Sequence, residues 1–186
     1  MRKAALSAVI LLLFACTAIA QKTQKASDIL KSAQSKASDL NKTILLIFGA
    51  SWCEACHQLD TFLALPDIAP IVDKYFVVAH LTFAEGVAGH PDWDTPGADS
   101  LIAKYGGVAP NGRVALPFIA IVDSKARLLS NSNPSSKPNS RGDSTGFPVE
   151  PDEIKAFLSM LQKGAPSLSP EELHKVEDGL HQAASD

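Results

Sequence analysis

The stretch TILLIFGASWCEACH, residues 43–57, runs from an apolar segment straight into a pair of cysteines. Thr43 to Gly49 is a continuous apolar run bounded by polar residues and glycine, the pattern of a strand buried on both faces. Glu54 to Leu65 then reads as a helix with Leu59, Phe62 and Leu63 on one side, ended by Pro66. Cys53 and Cys56 therefore sit where a buried strand gives way to a helix. Their spacing supports two chemistries. Cys53, Cys56 and His57 spell C-x-x-C-H, a haem-attachment signature, and Trp52, Cys53 and Cys56 spell W-C-x-x-C, a redox signature.

Outward from this junction the chain alternates. Lys25 to Lys42 is predicted helical, with Ile29, Leu30, Ala33, Ala37 and Leu40 at helical spacing. Ile68 to Lys74 continues as a short helix and Phe76 to Phe83 is a second strand. Ala84 to Asp99 is a Gly/Pro/Asp-rich loop, and Ser100 to Tyr105 a short helix stopped by Gly106-Gly107. Phe118 to Asp123 and Arg127 to Ser130 are two strands close enough to form an antiparallel hairpin. Asn131 to Gly146 reads as a polar surface loop. Pro151 to Lys163 is a helix with proline in its first turn and Ile154, Phe157, Leu158 and Leu161 inward. Ser169-Pro170-Glu171-Glu172 is a capping box that opens a last helix to about Ala184, with Leu173, Val176 and Leu180 on one face. Strands alternating with helices predict an α/β fold: a central mixed sheet of about four strands flanked by helices.

The N-terminus bounds the compartment. Arg2 and Lys3 precede an apolar run from Ala4 to Ala15, and Ala18-Ile19-Ala20 offers an A-x-A cleavage site before Gln21, the layout of a secretory signal peptide. Leu13-Phe14-Ala15-Cys16 also resembles a lipobox that would make Cys16 a lipid anchor, although Phe14 fits that slot poorly. Cleavage after residue 20 leaves about 165 residues, enough for one domain with a core. The division expected is a signal peptide over 1–20, a domain over 21–165 and a tail helix over 166–186. Of the three cysteines, only Cys53 and Cys56 then remain. The formal charge of the precursor is −3, and the loss of Arg2 and Lys3 makes the mature chain more acidic. With no basic block, nucleic acid is excluded as a natural partner. Arg141-Gly142-Asp143 matches an integrin-binding tripeptide, but Gly and Asp are ordinary turn residues in such a loop.

Context weighs the two readings of the cysteine pair. A haem needs a second axial ligand; the mature chain offers Met160, lodged in an amphipathic helix, and His80 or His90. Thiol chemistry suits the strand-to-helix position directly. A thiolate at a helix N-terminus meets free backbone N–H groups and the positive end of the dipole, which favours the ionised form of Cys53. Cys56 lies one turn further in and is expected to be the more buried. The division of labour is then Cys53 as attacking nucleophile and Cys56 as resolving thiol. Glu54 disfavours the thiolate, whereas a protonated His57, one turn away on the same face, favours it.

Three features make the chain resemble the thioredoxin superfamily, over roughly residues 25–163. They are ILLIFGASWCEAC, a strand running into W-C-x-x-C; IAKYGG followed after an insertion by VALPFIAIVDSKARLL; and the closing helix from Pro151. The resemblance implies an exported thiol–disulfide oxidoreductase, periplasmic or secreted, with no cofactor and no metal. It further implies that Leu116–Pro117 is a cis peptide bond packed against the cysteines. Leu116 and Trp52 would then form the two walls of a substrate groove. The partners implied are protein disulfide or dithiol clients and, for a reductase, a membrane thiol electron donor. Ile47 stands where cytoplasmic thioredoxins carry a buried aspartate, which leaves proton transfer to another group, such as Glu85, or to water. His90 and Trp93 would contact substrate or pin the long loop to the body. Two other readings stay open: a copper or zinc carrier using Cys53, Cys56, His57 and His80 or His90, and a non-catalytic binding module with a structural disulfide.

Overall fold

The computed structural model describes residues 24–133 and 146–184. The segment 1–20 expected to be a signal peptide, Cys16, the Arg141-Gly142-Asp143 tripeptide and all but the ends of the polar loop 131–146 lie outside the described residues.

The fold is built around β1, Thr43–Gly49. From Ile44 to Phe48 every residue is buried, so both faces of this strand need cover and both its edges need hydrogen-bonding partners. β2 (Phe76–Thr82) pairs with it in parallel, Thr43 opposite Phe76 and Gly49 opposite Thr82. On the other side β3 (Phe118–Val122) runs antiparallel, Leu46 opposite Ala120, and β4 (Leu128–Asn131) pairs antiparallel with β3. The order is β2-β1-β3-β4, the mixed four-stranded sheet expected.

Alternation along the strands divides the interior in two. Leu45, Ile47, Ile119 and Ile121 point to one face, where they meet residues of α2 (Glu54–Ala64), α3 (Ala69–Tyr75), α5 (Pro151–Gly164) and α6 (Pro170–Ala183). Ile44, Leu46, Phe48, Phe118, Ala120 and Val122 point to the other, covered by α1 (Ala26–Leu40) and α4 (Ala98–Lys104). The inward stripe of α1 is Ala26, Leu30, Ala33 and Ala37, and the three alanines let the helix lie close to the sheet. Asn41 ends α1 in the left-handed conformation at φ 53°, a role open to asparagine at little cost.

Two local expectations are corrected. The segment 84–99 is more ordered than its composition implies, with 3₁₀ turns at Glu85–Ala88 and Pro91–Trp93. The helix after it begins at Ala98 rather than Ser100, because Gly97, at φ 87°, turns the chain two residues earlier.

Helix α6 packs on the body of the fold. Val176, Leu180 and Ala183 join the same apolar cluster as Phe62, Ile68 and Phe157. Gly179 permits the close approach, since a Cβ there would lie 2.8 Å from Ile68 Cδ1. Ser169 opens the helix: its Oγ accepts from Glu172 N–H at 3.1 Å, and its own N–H donates to Glu172 Oε2 at 2.8 Å. Glu172 also accepts from Lys74 Nζ at 2.8 Å and Tyr75 Oη at 2.7 Å. The start of α6 is thereby tied to the end of α3.

The Lys74 ammonium and the Ser169 N–H hold the Glu172 carboxyl down to about 2 from an ordinary 4.5. A carboxyl depressed in the folded state stabilises it above the unfolded pKa, and that contribution is lost as pH falls through the folded value. The thermal midpoint should therefore drop as pH is lowered from 4.5 towards 2. In Glu172→Gln the midpoint should be lower at neutral pH and flatter across that window, as read by circular-dichroism melts. An equal acid slope in both proteins would remove Glu172 from the account.

Candidate functional site

The site forms where β1 leaves the core. Gly49 is its last residue. A Cβ here would stand 3.3 Å from Cys56 Sγ, so the absence of a side chain is what lets that sulfur lie against the strand end. The chain then reverses through Ala50–Cys53, closed by Cys53 N–H donating to Ala50 O at 3.1 Å. Cys53 keeps extended dihedrals, φ −90° and ψ 103°, and caps α2: its Sγ accepts from Cys56 N–H at 3.2 Å. The sulfur expected to attack thus occupies the position at the helix N-terminus where backbone donors converge.

Cys53 and Cys56 are joined in a disulfide, Cα–Cα 5.2 Å. The two are buried alike, 5% and 6% exposed, which corrects the expectation that Cys56 would be the deeper. The bond draws both sulfurs into one small apolar cluster with Ala50, against which Ala55 and Leu116 pack. Leu116–Pro117 is cis. Pro117 is buried and Leu116 half-buried, so the loop before β3 brings Leu116 against the cysteine cluster.

The remaining candidates surround this pair. Trp52 is 44% exposed, and its indole Nε1–H donates to Ala84 O at 2.9 Å. Glu54 is exposed in the first turn of α2. His57 is exposed, and its Nε2 lies 2.9 Å from Ser51 O. Ile47, at the position where cytoplasmic thioredoxins carry an aspartate, is 2% exposed within the apolar cluster under α2 and α5. His90 and Trp93 stack on each other, centroids 3.9 Å apart and planes 7° off parallel, with Trp93 53% exposed. His80 pairs with Asp60 across 3.9 Å on the far edge strand. Among the described residues no group of three or more His, Cys, Asp and Glu side chains is placed to hold a metal ion.

Sequence reasoning missed Ser51. Its N–H donates to Glu85 Oε1 and its Oγ–H to Glu85 Oε2, each at 2.6 Å. Glu85 is 1% exposed. No motif announces this contact; the only hint was an acid placed a few residues beyond the end of a predicted strand.

A strand running into W-C-x-x-C at a helix N-terminus, a cis-proline at the head of β3, the β3–β4 hairpin and the closing α5 define a thioredoxin-like fold. No protein-family model matches the chain, and no curated protein does. Among solved structures the chain is similar to a disulphide isomerase from Xylella fastidiosa Temecula1, at 18% identity and a TM-score of 0.45 over 83% of this chain and 88% of that one. It is similar to a DsbH oxidoreductase at 15% identity, TM-score 0.42, over 78% and 85% of the two chains. It is similar also to a thioredoxin from Thermus thermophilus at 16% identity, TM-score 0.42, over 77% and 89%.

The Gly49 contact is testable. A β-branched side chain at 49 must displace Cys56 Sγ from the strand end. Gly49→Val should slow closure of the Cys53–Cys56 disulfide by oxidised glutathione about tenfold or more, since small misplacements of reacting atoms have large kinetic effects. Quenched-flow thiol trapping with mass detection would read the rate; an unchanged rate would mean that Cys56 closes from another position.

Proposed function

We propose that this chain is an exported thiol–disulfide oxidoreductase that reduces or exchanges disulfides of secreted client proteins. The observation that carries the reading is the Cys53–Cys56 disulfide at the N-terminus of α2, with Cys53 as the capping residue.

In the reduced protein, backbone donors at the helix terminus favour the Cys53 thiolate. It attacks one sulfur of a client disulfide; a Cys53–client bond forms, the client bond breaks, and one client thiolate leaves. Cys56 loses its proton and attacks Cys53 Sγ. The intramolecular disulfide forms, the mixed disulfide breaks, and the second client thiol is released. The client gains two electrons and two protons, and the protein ends oxidised. A dithiol donor, such as a membrane thiol carrier, returns it to the reduced state by the reverse exchange. Trp52, exposed beside Cys53, and Leu116, packed on the pair, are the surfaces that a client chain would meet first.

Export rests on residues 1–20, with Cys16 as the alternative lipid anchor. Among the described residues no helix is long and apolar enough to cross a membrane. A purely structural bond is a weaker reading, because a bridge between residues three apart closes a loop too short to constrain the unfolded chain much.

Two measurements test the assignment. Cys53→Ser should abolish exchange with a model disulfide, whereas Cys56→Ser should accumulate client adducts that dithiothreitol releases, visible as mass shifts on non-reducing analysis. Adducts from neither variant would refute the scheme. Glu54 follows Cys53 in sequence and its charge opposes a Cys53 thiolate, so equilibrium titration in thiol–disulfide buffers should place the potential near thioredoxin's, about −270 mV. A value near −120 mV would make the protein an oxidant instead.

A further inference from the structure

The cysteine loop is gripped from outside by a buried acid. Ser51 and Trp52 are the central residues of the turn that delivers Cys53 to the helix N-terminus. All three polar groups of Ser51 are engaged: N–H and Oγ–H by Glu85, and C=O by His57 Nε2. Trp52 is tied to the residue beside Glu85, through Ala84 O.

Glu85 is itself held rigidly. Its N–H donates to Asp94 Oδ1 at 2.9 Å, and its C=O accepts from His90 N–H at 3.1 Å. Phe83 N–H donates to Gly49 O at 2.8 Å. Ala84 adopts the left-handed conformation, φ 66°, one that residues with a Cβ enter at a cost. That turn aims both the Ala84 carbonyl and the Glu85 carboxylate at the Ala50–Cys53 loop. The asymmetry of burial is informative: Ser51 is exposed while Glu85 is 1% exposed. Desolvating a carboxylate is costly unless hydrogen bonds offset it, and the side-chain bonds it makes go to the residue two before Cys53.

We propose that Glu85 is the positioning residue of the cysteine pair. By holding both donors of Ser51 it fixes the Ala50–Cys53 turn and keeps Cys53 Sγ against the N–H groups that open α2. The inference rests on the reading of Cys53 as the attacking sulfur and adds the group that places it. The grip is a matter of geometry, so a glutamine serves in its place: the amide oxygen accepts from Ser51 N–H while the amide N–H₂ donates to Ser51 Oγ. An apolar isostere cannot.

The test reads the reduced protein by iodoacetamide labelling of Cys53 across pH, with intact mass to confirm the site. Loosening the turn withdraws Cys53 from the helix terminus. In Glu85→Met the midpoint of the labelling profile should rise by about one unit, a tenfold loss of thiolate at neutral pH. Glu85→Gln should recover the wild-type rate to within about threefold. Ser51→Ala, at an exposed position, keeps the backbone bond and should fall between them; Ser51→Thr should behave as wild type. The other titratable groups on α2 and the loop, namely Glu54, Cys56, His57, Asp60, His90, Asp92 and Asp94, are the same in every variant.

A wild-type profile in both Glu85→Met and Ser51→Ala overturns the proposal. So does a Glu85→Gln rise as large as that of Glu85→Met, since glutamine keeps both bonds to Ser51 and loss of the negative charge by itself would lower the midpoint. If Glu85→Met fails to fold, the Ser51 pair decides. These outcomes are separate from the fate of the functional reading, because labelling needs no client: a protein inert towards disulfides but with the expected variant series would sink the exchange scheme and keep Glu85 as a positioning residue.

Discussion

Burial of β1 on both faces is the constraint from which the rest follows. A strand whose middle five residues are all buried has no water available for its backbone groups, so it needs a partner on each side, and β2 and β3 supply them. Its two faces must each be covered, and the even and odd residues accordingly recruit different helices. The end of such a strand is also where burial stops. Gly49 is the last residue that the sheet holds, and the chain emerges beside a helix N-terminus with nothing between the strand end and Cys56 Sγ.

The chemistry of the site depends on what does and does not stand around the sulfurs. Beneath them Ile47, at the slot where cytoplasmic thioredoxins carry an aspartate, lies within an apolar cluster. The acids that are present stand elsewhere: Glu54 in solvent on the first turn of α2, and Glu85 turned to Ser51. His57, read from sequence as a neighbour that tunes Cys53, directs its ring to the Ser51 carbonyl. The Cys56 N–H at the head of α2 is thus a donor to Cys53 Sγ, and what holds the turn before Cys53 bears on that contact.

Legibility varied with the range of the interaction. Strand, turn and helix over 43–65 were readable because apolar periodicity, a glycine and a capping cysteine are local signals. The capping box at Ser169 was readable for the same reason, and it opens α6 as expected. The 84–99 segment was not: its glycines and prolines describe a loop correctly but say nothing of the two 3₁₀ turns, nor of Ala84 in a conformation that its side chain disfavours. The relative depth of the cysteines was misjudged because helical position alone places Cys56 further in, whereas the disulfide brings both sulfurs into one cluster.

By itself the sequence determined that a buried strand delivers two cysteines to a helix N-terminus, and the residues on either side of that junction are enough to see why. What only the tertiary structure decided is which distant groups hold the junction in place. β1 and β2 are parallel and in register, Gly49 opposite Thr82, so their C-terminal ends emerge together. Ser51 and Glu85, a few residues beyond those ends, therefore meet across 34 positions of sequence. Leu116 reaches the cysteines by the same logic, because β3 runs antiparallel to β1 and starts where β1 stops. Sequence spacing records neither meeting; strand direction and register produce both.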